Sequence, residues 1–178
     1  MPKFEIDPGY IAGAIDTEGC ISISEYVYTR NGSTGINWNP QVIITNTNEH
    51  WLRRMRNQCD NIGFIHVDKR TGTAQWRIAS DKAADLLNFC KSYLFMKKAQ
   101  AEVFLLFRQT YTSQGGRGAK LPPDTIYQRR ALVAQIHKLN ASTDGKKRGR
   151  PKKLPVWHPE QEAPKTIEQS SLFAADSN

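Results

Sequence analysis

Two periodicities take turns along the first 140 residues of the chain. Residues 10–19 read as a short helix of mostly small side chains. Ile11 and Ile15 stand four apart and make a greasy face, while Gly9 and Gly13, also four apart, make a second face narrow enough for another backbone to approach. Asp7 before Pro8 marks the start: an N-cap acceptor, then a proline where no N–H is needed. Gly19 marks the stop, with a left-handed cap expected there. The period then drops to two, and residues 21–30 set Ile21, Ile23 and Val27 against Ser22, Ser24, Tyr26 and Tyr28.

Turn formers at Asn31-Gly32 and Ser33–Gly35 lead to a second strand, about 36–45. There Trp38, Val42 and Ile44 share one parity, and Asn37, Asn39, Gln41, Ile43 and Thr45 the other. A polar break over Asn46–Asn48 precedes a helix, about 49–60, with Leu52, Met55 and Cys59 inward, Arg53, Arg54 and Arg56 outward, and an end at Ile62-Gly63. A second hairpin follows. Its strands, 64–70 and 74–79, set Ile65, Val67, Trp76 and Ile78 against His66, Asp68, Arg70, Gln75 and Arg77, across a turn at Thr71–Thr73. Ser80-Asp81 reads as the cap of a helix to about 92; further helices span about 97–111 and 124–140, separated by a Gly/Pro-rich loop. The order helix–strand–strand–helix–strand–strand–helix predicts an α+β fold with a four-stranded antiparallel sheet, covered by helices on its apolar face. Residues 1–140 form the domain in this reading, and 141–178 a flexible tail.

Charge changes the picture through its distribution. The net +8 is concentrated: residues 146–153 hold six basic side chains and no acid, whereas 154–178 are acidic. A polyanionic partner such as duplex DNA is the natural inference. The free sheet face supplies Arg, Asn, Gln and Ser, side chains that read base edges, on a ribbon able to follow the major groove. Cys20, Cys59 and Cys90 fit no metal knuckle or disulfide framework and read as reduced. No apolar run reaches membrane-spanning length, and the N-terminal residues lack a signal peptide's basic and apolar regions, so an intracellular protein is expected.

Candidate chemistry gathers at the end of the first helix. If its small face met a second copy of itself, Asp16 and Glu18 would face their symmetry mates across a narrow gap, and acids held that close repel unless cations intervene. Ile11–Gly19 with Cys20-Ile21-Ser22-Ile23 resembles the motif of the LAGLIDADG homing endonucleases, departing at Ala14 for a larger aliphatic and at Glu18 for the commoner Asp. The resemblance runs to about residue 140 and implies an αββαββα core with a saddle-shaped sheet plus C-terminal helices.

It further implies a single-motif homodimer that cuts both strands of a long, pseudo-palindromic DNA site, with Mg²⁺ as cofactor and Mn²⁺ able to substitute. By the same resemblance Glu18 and the Thr17 main-chain carbonyl are the metal ligands, and Asp16 supports from behind. Asn46 matches a water-positioning residue, although a helix-capping role reads equally well locally. Lys97 matches the lysine beside the scissile phosphate, and His50 a basic accessory position. Gly9, Ala12, Gly13 and Asp16 fall at the dimer contact. The expected DNA-binding residues are Ser22, Ser24, Tyr26, Tyr28, Arg30, Asn37, Asn39, Gln41, Ile43, Thr45, His66, Asp68, Arg70, Gln75 and Arg77. The rival reading is a cleavage-deficient DNA- or RNA-binding protein of the same fold, a maturase or regulator.

In the tail, Lys146–Lys153 resembles an AT-hook, with Arg148 and Arg150 flanking Gly149 where the backbone would sink into a narrow minor groove. Gln169–Phe173 resembles the peptide by which bacterial proteins dock on the replication sliding clamp, which would place the protein in a bacterial or phage host. Removing residues 146–178 is expected to weaken duplex binding and to flatten the plot of log affinity against log salt by about 0.9 for each phosphate that the tail neutralises. Anisotropy titrations at several salt concentrations measure that slope; an unchanged slope would refute a DNA role for the tail.

Overall fold

The computed structural model of the chain describes residues 2–30, 33–111 and 121–142. Helix α1 (Pro8–Glu18) starts as expected, Asp7 Oδ1 accepting the Tyr10 N–H at 2.9 Å. It passes without a loop into strand β1 (Gly19–Arg30). Gly19 is not left-handed: its φ of −91° and ψ of 159° are extended. The glycine is needed for space, since a Cβ would lie 2.5 Å from the Ile15 carbonyl oxygen that accepts the Gly19 N–H.

There follow β2 (Ser33–Asn46), α2 (Glu49–Gln58), β3 (Phe64–Asp68), β4 (Thr73–Ala79), α3 (Ser80–Cys90), a 3₁₀ turn (Lys91–Tyr93), α4 (Lys98–Gln109) and α5 (Pro123–Ser142). The four strands form one antiparallel sheet in the order β1-β2-β4-β3. Register places Ile21 opposite Val42 and Ile44 opposite Trp76, so a single parity of each central strand is apolar. Ile21, Ile23, Val42, Ile44, Trp76 and Ile78 are fully buried with Ile11, Ile15, Leu52, Leu86, Phe104 and Phe107 from the helices. Each such side chain contributes about 1.5–3 kcal/mol by leaving water. The indole of Trp76 keeps its polar end satisfied through Nε1–H to the Ile62 carbonyl at 2.9 Å. Among the described residues no helix is long and apolar enough to cross a membrane. The cysteines are free, and burial pushes the thiols of Cys59 and Cys90 up to about 12.

Two further local expectations change. Ser80-Asp81 does not cap α3: the N-cap is Ala79 without a side-chain bond, and Ser80 sits at φ +54°. The Asp81 carboxylate instead pairs with Arg108 of α4. On β1, Val27 is exposed while the Glu25 side chain is 9% exposed, the reverse of what polarity predicts. Glu25 Oε1 pairs with Arg130 Nη2 of α5 at 2.9 Å, and Oε2 accepts Trp38 Nε1–H at 3.0 Å. The outer part of the β1–β2 hairpin thus has a polar, α5-facing side.

Helix α5 also closes the sheet edge. β1 is an edge strand whose unpaired main-chain groups invite another strand. Asn140 Nδ2 donates to the Ile21 carbonyl at 2.9 Å, and the His137 ring nitrogen lies 3.2 Å from the Ile23 carbonyl. Arg129, 4% exposed, stacks its guanidinium 3.9 Å from the Tyr111 ring and donates to Thr110, tying α5 to the end of α4. Glu25→Ala is expected to lower stability by about 2 kcal/mol, below the full cost of breaking a wholly buried pair because Arg130 is partly solvated. A urea-denaturation midpoint measures it, and Glu25→Gln, which keeps an acceptor for the Trp38 indole N–H and for Arg130, should lose less than Glu25→Ala.

Candidate active site and nucleic-acid interface

The C-terminal end of α1 is built from two directions. Asp16 is 8% exposed and its carboxylate accepts two main-chain N–H groups, Phe95 to Oδ2 and Lys97 to Oδ1, both at 2.8 Å. Lys97 returns the contact: its Nζ donates to the Ile15 carbonyl at 3.0 Å and to the Asp16 carbonyl. These carbonyls belong to the negative end of the helix dipole, where an ammonium is favoured. Burial holds the Lys97 ammonium below the usual lysine range, opposed by Asp16, Cys20 and Glu18. Its positive charge is therefore present on the acid side of that lowered value and is lost at lower pH than an exposed lysine's would be. Lys97 lies just before α4 as its N-cap residue rather than inside the helix.

Glu18 is the last residue of α1 and is exposed, unlike Asp16. Gly19 pairs with Ile44, so Glu18 falls one residue outside the ladder, beside the Thr45–Asn46 end of β2. Thr17 is exposed and its hydroxyl donates back to the Gly13 carbonyl at 2.9 Å, leaving its main-chain carbonyl in the last turn of the helix. Asn46 is not the helix cap: its Oδ1 accepts the Asn48 N–H at 2.8 Å in the preceding turn, and Asn48 caps α2 through the Trp51 N–H. His50 is exposed in the first turn of α2. Among the described residues no group of three or more His, Cys, Asp or Glu side chains could hold a metal ion.

The free face of the sheet adjoins this end. Ser24, Tyr26, Tyr28, Asn37, Asn39 and His66 are exposed on it; Ser22, Gln41, Ile43, Thr45, Gln75 and Arg77 are half-buried. Several of these side chains are already engaged. Asn37 donates from Nδ2 to the Tyr26 hydroxyl at 2.8 Å, while its Oδ1 accepts the Trp38 N–H at 2.8 Å. Gln75 Oε1 accepts from both Arg77 Nε, at 3.0 Å, and Nη2, at 2.6 Å. Tyr28 lies over Gly35 on the neighbouring strand, where a Cβ would come within 2.7 Å of its ring. Asp68 serves its own turn: Oδ1 accepts the Arg70 N–H at 2.9 Å, and that bond, then one from Thr71, holds its carboxyl below the usual range. Arg70 is exposed in the same turn. The Arg30 side chain and residues 143–178, with Arg148, Arg150 and Gln169–Phe173, lie outside the described residues.

On α1 the small-residue face is narrower than the sequence implies. Ala12 is fully buried in the chain's own core and Asp16 is committed to Phe95 and Lys97, so neither lies on an open face. Tyr10, Gly13 and Thr17 are exposed, Gly9 is half-buried, and apart from its own helix backbone nothing lies within 4 Å of a Cβ built at Gly13. Tyr10 is fixed by its hydroxyl, which accepts Trp51 Nε1–H at 2.6 Å. Periodicity had no means of finding Glu25, Arg129 and Arg130, whose partners lie on distant elements. Phe64, 57% exposed opposite Arg77, was also missed, although its parity with His66 marked that face.

The four-stranded antiparallel sheet with helices on one face is the fold of solved homing endonucleases. The archaeal intron-encoded homing endonuclease I-Vdi141I, solved with DNA, superposes with a TM-score of 0.63 at 21% identity, over 82% of this chain and 87% of that one. I-CvuI, solved with its target in the presence of calcium, gives 0.60 at 19% over 80% and 85%, and I-TnaI gives 0.57 at 14% over 80% and 99%. No curated relative matches the chain. The chain belongs to the LAGLIDADG endonuclease family, whose model matches residues 11–111, from the first apolar residue of α1 to just past α4.

The mutual lock between Asp16 and the 95–97 segment makes a direct prediction. Asp16→Asn would set an amide NH₂ against one of the two main-chain N–H groups, and a buried unsatisfied donor costs about 1–3 kcal/mol. Loss of hydrogen-exchange protection at the Phe95 and Lys97 amides, with helix α5 unaffected, is the expected signature.

Proposed function

We propose that the protein is a single-motif homing endonuclease that works as a homodimer, cutting both strands of a long pseudo-palindromic DNA site with Mg²⁺. One observation carries the reading: Glu18 is the exposed acid of the motif, with the Lys97 ammonium bonded into the same helix end and the polar sheet face beginning one residue later. A pair of such chains related by a two-fold axis through the open Tyr10–Gly13–Thr17 face of α1 would bring two Glu18 carboxylates together. The open space over Gly13 supports that contact.

The donor set fits a hard divalent cation. Glu18 and the Thr17 carbonyl offer only oxygen, at the negative end of a helix, and a second copy would supply the missing ligands. Solved neighbours crystallised with calcium or magnesium support the same choice. The bound ion would supply activation of a water and stabilisation of the leaving oxygen. The chain's own residues do the rest. Asp16 holds the 95–97 segment, that segment holds Lys97 at the helix end, and Lys97 places positive charge where phosphate charge grows. The sheet face binds and registers the duplex. His50 is the accessory cation. Asn46 would orient water through its amide nitrogen or the second lone pair of its oxygen, the first being taken by the Asn48 N–H. In this reading the tail from residue 141 adds a minor-groove contact through Arg148 and Arg150, and the protein acts inside a bacterial or phage-infected cell, where Gln169–Phe173 could meet the sliding clamp.

Glu18→Gln should reduce Mg²⁺-dependent cleavage of selected sites at least about 100-fold, since even outer supports of a metal cost up to that much. Binding of the same sites in Ca²⁺ should persist, and sedimentation should give twice the chain mass. Tight, specific binding with no metal-dependent cutting by the unaltered protein would make it a DNA-binding protein of the same fold instead.

A further inference from the structure

On the free face of β4, Arg77 and Gln75 form a locked pair. One acceptor, Gln75 Oε1, takes both Nε–H and Nη2–H of Arg77, so the side edge of the guanidinium is saturated and its plane is set. Arg77 is flanked on its cross-strand row by two apolar neighbours, Ile43 on β2 and Phe64 on β3. Gln75 is flanked by Thr45 and His66, so neither row carries a carboxylate. Among the described residues Arg77 makes no ion pair. The result is a half-buried cation, without a counter-ion, whose outer Nη1–H and Nη2–H fork remains available.

We infer that Arg77, braced by Gln75, reads one guanine in each half of the DNA site. The inference rests on the endonuclease reading above. The outer edge of a guanidinium presents two parallel donors. Guanine alone among the bases presents two acceptors, O6 and N7, side by side in the major groove. A flexible arginine would serve phosphates as readily as bases, but this one has already surrendered its side edge and its rotational freedom to Gln75. The lock also removes the acceptor that Gln75 would need to read adenine with its paired donor and acceptor. Gln75 is therefore a positioning residue here, acting through Arg77.

The test is selection from a randomised duplex library by the full chain in Ca²⁺, comparing wild type with Arg77→Leu, Gln75→Leu and Gln75→Glu. The expected result is a guanine at one symmetric pair of positions in the wild-type selection. Arg77→Leu should lose that preference by about tenfold or more while preferences elsewhere in the site persist. Gln75→Leu should weaken the guanine preference alone, and Gln75→Glu, which keeps an acceptor for Arg77, should restore it. Substituting 7-deazaguanine, which lacks one of the two acceptors, at the selected position should cost wild type part of the Arg77→Leu loss and add nothing in the variant. A selected site left unchanged by Arg77→Leu, or a uniform loss of affinity across all sequences, would overturn the inference. Failure of the wild-type protein to select any sequence would overturn the endonuclease reading on which it stands.

Discussion

The site depends on a carboxylate that does not itself face solvent. Asp16 accepts two main-chain N–H groups from a segment some eighty residues later, and that segment sends Lys97 back to the Ile15 and Asp16 carbonyls. A half-buried ammonium and a nearly buried carboxylate would each be costly alone. Here each is solvated by the backbone of the other's element, so the two costs are met by one closed set of bonds. The consequence is a division of labour. Of the motif's two acids only Glu18 is left exposed, immediately before a strand that carries it into register with the free sheet face.

That register is itself a consequence of close packing. Gly19 lets α1 turn into β1 with no intervening loop, because no side chain would fit beside the Ile15 carbonyl. A rigid junction fixes the distance and direction from the helix end to the sheet, which a loop would leave to thermal motion. The edge created by β1 is then covered by α5, whose Asn140 and His137 reach the Ile21 and Ile23 carbonyls. Glu25 and Arg130 reinforce that cover, at the cost of placing a carboxylate where the alternation calls for an apolar residue. The helix that guards the edge and the strand that leads from Glu18 are thereby held as one body.

The free face is organised by partnerships among its own side chains as much as by polarity. Asn37 and Gln75 both have their amide oxygens engaged, one by the Trp38 N–H and the other by Arg77. Asn37 also spends an amide hydrogen on the Tyr26 hydroxyl, whereas Gln75 keeps its amide nitrogen as a donor. A face rich in Asn, Gln and Arg can in principle read any base edge, and each internal bond takes one donor or acceptor out of that repertoire. The composition of a recognition surface thus bounds its preferences, and the internal hydrogen bonds narrow them.

The sequence by itself determined the elements and their faces. Period-two alternation in four short segments, the Asp7-Pro8 start and the Leu52/Met55 spacing are local signals, and each reports a backbone geometry that forms from neighbours in the chain. The acids at the end of α1 and Lys97 were legible through the resemblance that the motif carries. Only the tertiary structure decided which polar groups are spent on folding. Asn46 gives its oxygen to Asn48, Ala12 points into the core, and the Glu25 side chain is largely covered while Val27 is exposed. Each outcome turns on a hydrogen bond, an ion pair or a packing contact whose partners the pattern of the chain does not name. Burial preference is a property of a residue, whereas compensation of a buried charge is a property of two, and the second becomes visible only when the chain has closed on itself.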